Sequence, residues 1–222
     1  LFYRVSLNTT VSVHRDARGQ TFLRVGGKTD ASTGADMGTQ VMVAQIPLLL
    51  HPRPDKVLVI GLGSGVTLGS ASRHPLSVLD CAEIDPAVVE AARYFEDHNY
   101  HVYDDPRVRI YVGDGRNVLL ATAQRYDVII SEPSNPWMAG IANLFTREAF
   151  ELARDRLAPG GLMCQWMHIY RMFPQDVKLV LKTFQQVFPY VSVWSSIPGD
   201  LILVGSAQPH QFDYERLKIQ LS

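Results

Sequence analysis

Cysteine is nearly absent from this sequence: only Cys81 and Cys164 occur among 222 residues, and each lies within an apolar run. Two such residues provide no CxxC pair, and the seven histidines show no HxxxH spacing. Disulfide frameworks and zinc sites depend on those patterns. We therefore expect two buried thiols, a reducing compartment such as the cytoplasm, and no metal site.

Long apolar runs and clusters of basic residues are missing as well. The best membrane candidate, VMVAQIPLLL, has half of the roughly 20 residues that a spanning helix needs, and it contains Gln45 and Pro47. The formal net charge is −1 and no run of lysines or arginines exceeds two residues, so no nucleic-acid partner is expected. The start lacks a signal-peptide pattern, but its first residue is not methionine. The sequence is thus compatible with the cytosolic domain of a longer protein that has a membrane-embedded segment.

The residues that are present favour an α/β domain behind a short β segment. Hydrophobic residues make up 46% and charged residues 19%, as in ordinary globular proteins. Polar and apolar residues alternate over the first 30 or so positions, which predicts a β-hairpin segment over 1–35. From Lys56 onward apolar runs alternate with amphipathic stretches. This predicts a Rossmann-like, nucleoside-binding catalytic domain over 36–222 with a mainly parallel sheet.

Seven apolar runs supply the strands of that sheet. They are KVLVIG, LSVLDCAEI, VRIYVG, YDVIIS, GLMCQW, VSVWSS and LILVGS. Because only SIPGD separates the last two, we expect them to pair antiparallel, so that the sheet ends in an antiparallel strand. Asp85 and Thr146 are expected to cap the helices that follow them, and PGG is expected to end the helix that begins after Thr146.

Four consecutive predicted strands end in glycine or in an acid. They lead to Gly61, Gly63 and Gly65 of GLGSGV, then to Glu83, Asp114 and Glu132. The carboxyl ends of parallel strands share one edge, where open α/β sheets bind ligands, so these residues predict an adenosine-type nucleoside site. Glycine backbone allows close approach, Glu83 follows Gly61 by 22 positions as a ribose-binding acid does, and Asp114 suits adenine N6.

Each of these residues also has a purely structural alternative. The glycines fit an ordinary turn, Glu83 an exposed strand-end charge, Asp114 a helix N-cap and Glu132 a cap of the following loop. A dinucleotide site is disfavoured because the sixth position of its GxGxxG pattern is Val66, and no Walker-type phosphate loop is present. The pattern therefore favours a mononucleoside ligand.

Longer stretches resemble the spermidine/spermine synthases, the polyamine aminopropyltransferases. The similarity covers roughly residues 20–206 and lies in HPRPDKVLVIGLGSGVT, AEIDPAVVEAAR, DDPRVRIYVGDGRNVL and YDVIISEPSNPW…LFTREAFELARDRLAPGGLMCQW. The resemblance implies the seven-stranded sheet of the class I S-adenosylmethionine methyltransferases, a small N-terminal β domain and a homodimer. It also implies decarboxylated S-adenosylmethionine as co-substrate and a small-molecule amine as acceptor.

The resemblance assigns roles to individual residues as well. The nucleoside-binding set would be Gln40, Gly61, Gly63, Ser64, Gly65, Glu83, Asp114 and Gly115. SEPSNP stands where the synthases carry Asp-Ser-Ser-Asp-Pro. Glu132 is therefore the expected catalytic residue, which helps to deprotonate the attacking amine, and Asn135 falls at a substrate-binding position.

The acceptor half departs from the family pattern. Ser64 and Asn135 replace acids, and the turn SSIPGD lacks an acceptor-site tyrosine. Thr39 replaces another tyrosine, and Asp30 replaces a glutamine but would restore a charge if its strand faced the site. We therefore expect an aminopropyltransferase-like enzyme with an altered acceptor site. A methyltransferase that uses intact S-adenosylmethionine and a non-catalytic adenosyl-binding module stay open as alternatives.

Overall fold

Four strands between Phe2 and Ser32 form a small antiparallel sheet. The computed structural model describes residues 1–6, 9–134, 141–170 and 172–220. The strands pair in the order β1-β2-β3-β4. They are β1 (Phe2–Val5), β2 (Thr10–Arg15), β3 (Thr21–Val25) and β4 (Lys28–Ser32). The period-two alternation of the sequence thus predicted this part of the fold correctly.

The larger sheet has seven strands, as predicted, in the order β10-β11-β9-β8-β5-β6-β7. They are β5 (Lys56–Ile60), β6 (Val78–Glu83), β7 (Val108–Val112), β8 (Tyr126–Ser131), β9 (Leu157–His168), β10 (Tyr190–Trp194) and β11 (Asp200–Ser206). Strands β5 to β9 are parallel, whereas β11 runs antiparallel to both β9 and β10. The prediction that the reversed strand ends the sheet is wrong, because β11 pairs with β9 along its whole length and leaves β10 at the edge.

In the part of the chain that the structure describes, seven α-helices connect or flank the strands. They are α1 (Met37–Leu50), α2 (Val66–Ser72), α3 (Pro86–Ala91), α4 (Gly115–Ala121), α5 (Arg147–Arg156), α6 (Pro174–Val187) and α7 (Tyr214–Gln220). The predicted caps are confirmed: the side chain of Asp85 accepts from the Ala87 N–H, and that of Thr146 from the Ala149 N–H. Helix α5 ends before the expected PGG stop, because β9 already begins at Leu157.

The small sheet shares a hydrophobic core with one face of the large sheet. Val11, Val13 and Leu23 are fully buried in the same cluster as Val43 of α1 and Val57 of β5. Helices α5 and α6 cover the opposite face around Phe150, Phe184 and Phe188. The N-terminal strands are therefore packed directly onto the part of the chain that carries α1 and β5, and the division into 1–35 and 36–222 stays a prediction.

Both cysteines lie in this interior. Cys81 and Cys164 are free and buried, as the sequence predicted. Burial raises the pKa of each thiol, so neither is a reactive thiolate near neutral pH. Within the described ranges, no helix has both the length and the apolar composition that crossing a lipid bilayer requires.

Candidate active site

The four predicted strand ends meet at one edge of the large sheet. Strands β8, β5, β6 and β7 are neighbours in that order and run parallel. Their carboxyl ends lead to Glu132, Gly61, Glu83 and Asp114, respectively. The sheet topology therefore brings together the residues whose shared edge the sequence predicted.

The glycine loop, residues 61–65, follows β5. Gly61, Gly63 and Gly65 have φ angles of +95°, +53° and +81°, a region that glycine enters without steric cost. A Cβ atom on Gly61 would lie 2.5 Å from the main-chain oxygen of Glu132, so the loop touches the segment after β8 directly. Among the described residues, the N–H groups of Gly63 and Ser64 have no protein acceptor. These two donors fit the polar groups of a ligand.

Glu83 fastens the glycine loop to β6. One carboxylate oxygen accepts from the Leu62 N–H at 2.9 Å and the other from the Asp85 N–H at 2.9 Å. Only 7% of the residue is exposed, so the alternative of an exposed strand-end charge is wrong. Burial raises the pKa of Glu83, and the two backbone hydrogen bonds oppose that rise. Each oxygen keeps a second lone pair, so ribose hydroxyls could still donate to it.

Asp114 and Gly115 have structural duties at the start of α4. The Asp114 carboxylate accepts from the Arg116 N–H at 2.7 Å, so the helix-capping alternative is confirmed. A Cβ atom on Gly115 would lie 2.4 Å from Cγ2 of Ile60, which explains the glycine by packing. The adenine-binding role of both residues stays a prediction.

Gln40 and Ser64 join the glycine loop to α1. The Ser64 hydroxyl, in a residue only 2% exposed, donates to the Gln40 side-chain oxygen. The Gln40 amide donates to the Ser32 carbonyl at 2.9 Å and to the Asp36 carboxylate at 3.0 Å. The Ser64 position therefore presents a neutral, hydrogen-bonded hydroxyl where the family resemblance implies a carboxylate.

Glu132 stands at the centre of a group of acids. Its residue is half-buried, and burial is the main reason why the pKa of its carboxyl rises from 4.5 to about 8. The nearby Thr67 side chain opposes this rise in pKa, whereas the charges of Asp36, Asp30 and Asp200 add to it. A carboxyl tuned to this range suits proton transfer near neutral pH.

Asp30 faces this group, so its strand does point toward the site. It accepts a hydrogen bond from Ser134, two residues after Glu132, and forms an ion pair with Lys28 at 3.2 Å. The sequence left open whether the strand of Asp30 faces the site, and the structure shows that it does. The positive charge of Lys28 partly offsets the negative charge of Asp30. Asn135 lies outside the described residues, so its predicted role stays a prediction.

Asp200 is a site residue that the sequence analysis missed. It is 3% exposed and accepts from Nδ1 of His168 at 2.5 Å and from the Thr39 hydroxyl at 3.0 Å. The His168 ring lies between the rings of Trp166 and Tyr170, with centroid distances of 4.1 Å and 4.6 Å. Only the turn signal of SIPGD marks Asp200 in the sequence, and that signal carries no information on its partner.

Comparison with known proteins identifies the family. The family described as the spermine/spermidine synthase domain matches residues 37–210, which is most of the sequence. The chain belongs to the spermine/spermidine synthase family. Members of this family are transferases, and the resemblance found in the sequence motifs is confirmed.

Relatives within and around this family include two kinds of enzyme. Spermidine synthase of Dictyostelium discoideum is 36% identical over 186 residues, covering 80% of this chain and 63% of the relative. Putrescine N-methyltransferase 2 of Nicotiana tabacum is 35% identical over 166 residues, covering 71% of this chain and 45% of the relative. The chain therefore spans less than two thirds of the length of these curated relatives.

Solved structures confirm the predicted fold. A spermidine synthase in complex with the transition state analogue AdoDATO matches with a TM-score of 0.83 at 25% identity, over 93% of this chain and 72% of that chain. Human methyltransferase-like protein 13 in complex with SAH shares the fold alone, with a TM-score of 0.62 at 23% identity over 82% of this chain and 85% of that chain. The spermine/spermidine synthase core thus has the class I methyltransferase-like sheet that the motifs indicated.

Replacing Glu132 by glutamine is expected to raise the melting temperature more at pH 9 than at pH 6. The folded protein holds the Glu132 proton up to about pH 8, whereas the unfolded chain releases it near 4.5. The free energy of unfolding therefore falls as pH rises between those values, and the neutral amide removes the loss. We expect a gain of at least about 2 °C at pH 9, since ~1 kcal/mol shifts the melting temperature of a domain this size by about 2–4 °C.

Scanning calorimetry at both pH values measures this difference. Glu148→Gln, at an exposed position in the first turn of α5, is the matched control and should shift the melting temperature equally at pH 6 and pH 9. A gain for Glu132→Gln that is larger at pH 6 would contradict the raised pKa.

Proposed function

We propose that this chain transfers an aminopropyl group from decarboxylated S-adenosylmethionine to an amine acceptor. The observation that carries the proposal is the meeting of the glycine loop, Glu83, Asp114 and Glu132 at one sheet edge in a member of this family. The relative named spermidine synthase and the structure with AdoDATO support the same chemistry. A cytoplasmic location, in line with the two free thiols, is part of the proposal.

The residues at the edge fit an adenosyl ligand. The N–H groups of Gly63 and Ser64, for which the described residues supply no acceptor, would meet its polar groups, and the Glu83 carboxylate would accept from the ribose hydroxyls. Asp114 would hold the adenine, with Gln40 beside the nucleoside. When bound, the donor supplies a propyl carbon that is activated by its sulfonium group.

Glu132 would take the proton of the attacking amine. The nitrogen lone pair then forms the new C–N bond, and the C–S bond breaks with its electron pair on sulfur, leaving methylthioadenosine. With a pKa of about 8, the Glu132 carboxyl is mostly protonated at neutral pH when the site is empty. A cationic substrate shifts it toward its charged form, which can accept the proton of the amine. The main task of the protein is then to align the two reacting atoms.

A methyl transfer from intact S-adenosylmethionine is the second candidate. The neutral Ser64 would not repel the carboxylate of that donor, and a putrescine N-methyltransferase is among the relatives. We expect Ser64→Asp to shift the affinity ratio of the decarboxylated over the intact donor at least tenfold toward the decarboxylated form. The introduced charge would bind the propyl ammonium by a hydrogen bond that contributes about 1.5–3 kcal/mol.

Ser64→Asn is the matched control for that shift, because it adds similar size without charge. Isothermal titration of both variants with both donors gives the two ratios directly. An unchanged ratio in Ser64→Asp, with a melting temperature close to that of the parent, would exclude this position from donor selection.

Parallel titration with decarboxylated S-adenosylmethionine, S-adenosylmethionine and methylthioadenosine tests the proposal as a whole. We expect the decarboxylated donor and methylthioadenosine to bind, and NAD not to bind. Preference for the intact donor favours the methyltransferase. Binding without any product in the presence of a panel of amines would instead indicate the non-catalytic module.

We also propose a homodimer. Tyr3 and Val5 of the edge strand β1 are 71% and 68% exposed, Leu1 just before it is 61% exposed, and a partner could cover them. Phe2 of the same strand is instead covered within the chain, because its ring packs on that of Tyr94 at a centroid distance of 5.7 Å. Light scattering should give a mass above the 24.8 kDa of one chain, and a value near 24.8 kDa would refute the dimer.

A further inference from the structure

We propose that Asn99 is a positioning residue for the adenosyl-ligand site, because its carboxamide fixes the main chain of the glycine loop. The inference rests on the proposed function. Asn99 lies in none of the motifs that the sequence analysis singled out, in the segment between α3 and β7. Its contacts set it apart from the other residues of that segment.

The side chain of Asn99 joins two parts of the site. The residue is fully buried, and its Nδ2 atom donates to the carbonyls of Ser64 and Ala92, both at 3.1 Å. Both partners are carbonyl oxygens, which only the NH2 end of the carboxamide can satisfy, so the orientation of the group is fixed. One side chain therefore ties the glycine loop to the end of α3.

The hydrogen bond from Asn99 to the Ser64 carbonyl restricts the directions in which the N–H donors of the glycine loop can point. The peptide plane between Ser64 and Gly65 is rigid, and the Gly65 N–H is also held, at 2.8 Å from the Leu62 carbonyl. With that plane fixed, the direction of the Ser64 N–H depends only on the two torsions of Ser64. This N–H is one of the two loop donors that have no protein acceptor within the described residues.

Two glycines make room for Asn99. A Cβ atom on Gly65 would lie 2.9 Å from Nδ2 of Asn99, and one on Gly69 would lie 2.0 Å from the Asn99 carbonyl oxygen. The loop and the first turn of α2 therefore approach this residue as closely as main chain permits. A side chain at Gly65 would push the carboxamide away from the Ser64 carbonyl, and one at Gly69 would push the main chain of Asn99 away from α2.

The chain after Asn99 accepts an unfavourable conformation. Tyr100 and His101 have φ angles of +58° and +51°, and they are the only non-glycine residues with positive φ in the described ranges. Left-handed conformations cost energy in non-glycine residues and persist where surrounding structure enforces them. In addition, Oδ1 of Asn99 is buried without a partner among the described residues. Both features cost free energy. Their presence indicates that the hydrogen bond from the Asn99 NH2 group to the glycine loop outweighs this cost.

Titration calorimetry with methylthioadenosine tests the proposal in three variants. Asn99→Ala should raise the dissociation constant about tenfold, because it removes both hydrogen bonds that the carboxamide donates. Asn99→Ser, which keeps one donor, should bind with intermediate affinity and decides the matter if Asn99→Ala does not fold. Val102→Ala is the matched control: Val102 is fully buried in the same segment, so this variant should lose stability but bind within about twofold of the parent.

Hydrogen exchange of the peptide that contains residues 61–65 gives a second readout, which needs neither ligand nor turnover. We expect faster exchange in Asn99→Ala than in Val102→Ala, and a KM for the donor that rises more than kcat falls. Parent-like binding in Asn99→Ala, or an equal loss of affinity in Val102→Ala, overturns the positioning role. If the parent itself binds no adenosyl-sulfur ligand, the proposed function fails, and the exchange comparison alone decides the role of Asn99.

Discussion

Glu83→Ala is expected to weaken the binding of methylthioadenosine at least tenfold. The carboxylate is the predicted partner of two ribose hydroxyls, and a hydrogen bond to a charged group contributes about 1.5–3 kcal/mol. The same carboxylate accepts from the Leu62 and Asp85 N–H groups, so its removal also releases the glycine loop. Losing even one such interaction corresponds to about a tenfold change in affinity. Titration calorimetry of parent and variant measures the ratio.

Asp80→Asn is the matched control for Glu83→Ala. Asp80 lies on the same strand, β6, and is 1% exposed, but it is held by the Tyr126 hydroxyl at 2.7 Å and by Arg109 at 2.9 Å. Three residues separate it from the sheet edge, about 10 Å along a strand. The Asp80→Asn variant should therefore have a lower free energy of unfolding, but its affinity for methylthioadenosine should stay within about twofold of that of the parent. Equal affinity of Glu83→Ala and the parent would show that the nucleoside site lies elsewhere.

The proposed nucleoside half of the site could be located from the sequence because its residues follow strand ends. Once LSVLDCAEI and YDVIIS are recognised as parallel strands, Glu83 and Glu132 must lie at the same edge. Gly61 could be predicted equally well, because a strand-to-helix turn with a positive φ, here +95°, requires glycine. Local sequence and sheet topology act together here, so no distant pairing has to be known.

The proposed acceptor half depends on strand pairings and side-chain contacts that local sequence does not encode. Asp200 lies opposite His168 only because β11 inserts between β9 and β10, and the sequence predicted the reversed strand at the edge instead. Asp36 is held near the other acids by hydrogen bonds from Ser32 of β4 and Gln40 of α1, two different elements. Both acids raise the pKa of Glu132, so the charge of the site could not be counted from the loop after β8 alone.

These additional acids bear on the expected activity with putrescine. A multiply cationic acceptor needs carboxylates that replace its lost hydration. Three of the acids near Glu132 are already engaged: Asp30 by Lys28, Asp36 by Gln40 and Asp200 by His168. We therefore expect turnover with decarboxylated S-adenosylmethionine and putrescine below the ordinary enzyme range of about 1–10³ per second, and a preference for a less charged or differently shaped acceptor.

The length of the Glu132 side chain is a second reason to expect weak turnover with putrescine. It also suggests the variants that test this expectation. Glu132 is one methylene longer than the family's aspartate, which moves the carboxylate by about an ångström and disturbs alignment with the amine. Restoring the family loop with Glu132→Asp and Asn135→Asp together should raise putrescine turnover, whereas Glu132→Gln should lower any turnover about 10²–10⁴-fold through loss of the base. A standard assay of product formation compares the three proteins. Parent turnover within the ordinary range, abolished by Glu132→Gln and not improved by the restored loop, would show that the altered loop already serves putrescine. The paired acids must then release their partners when the cation enters.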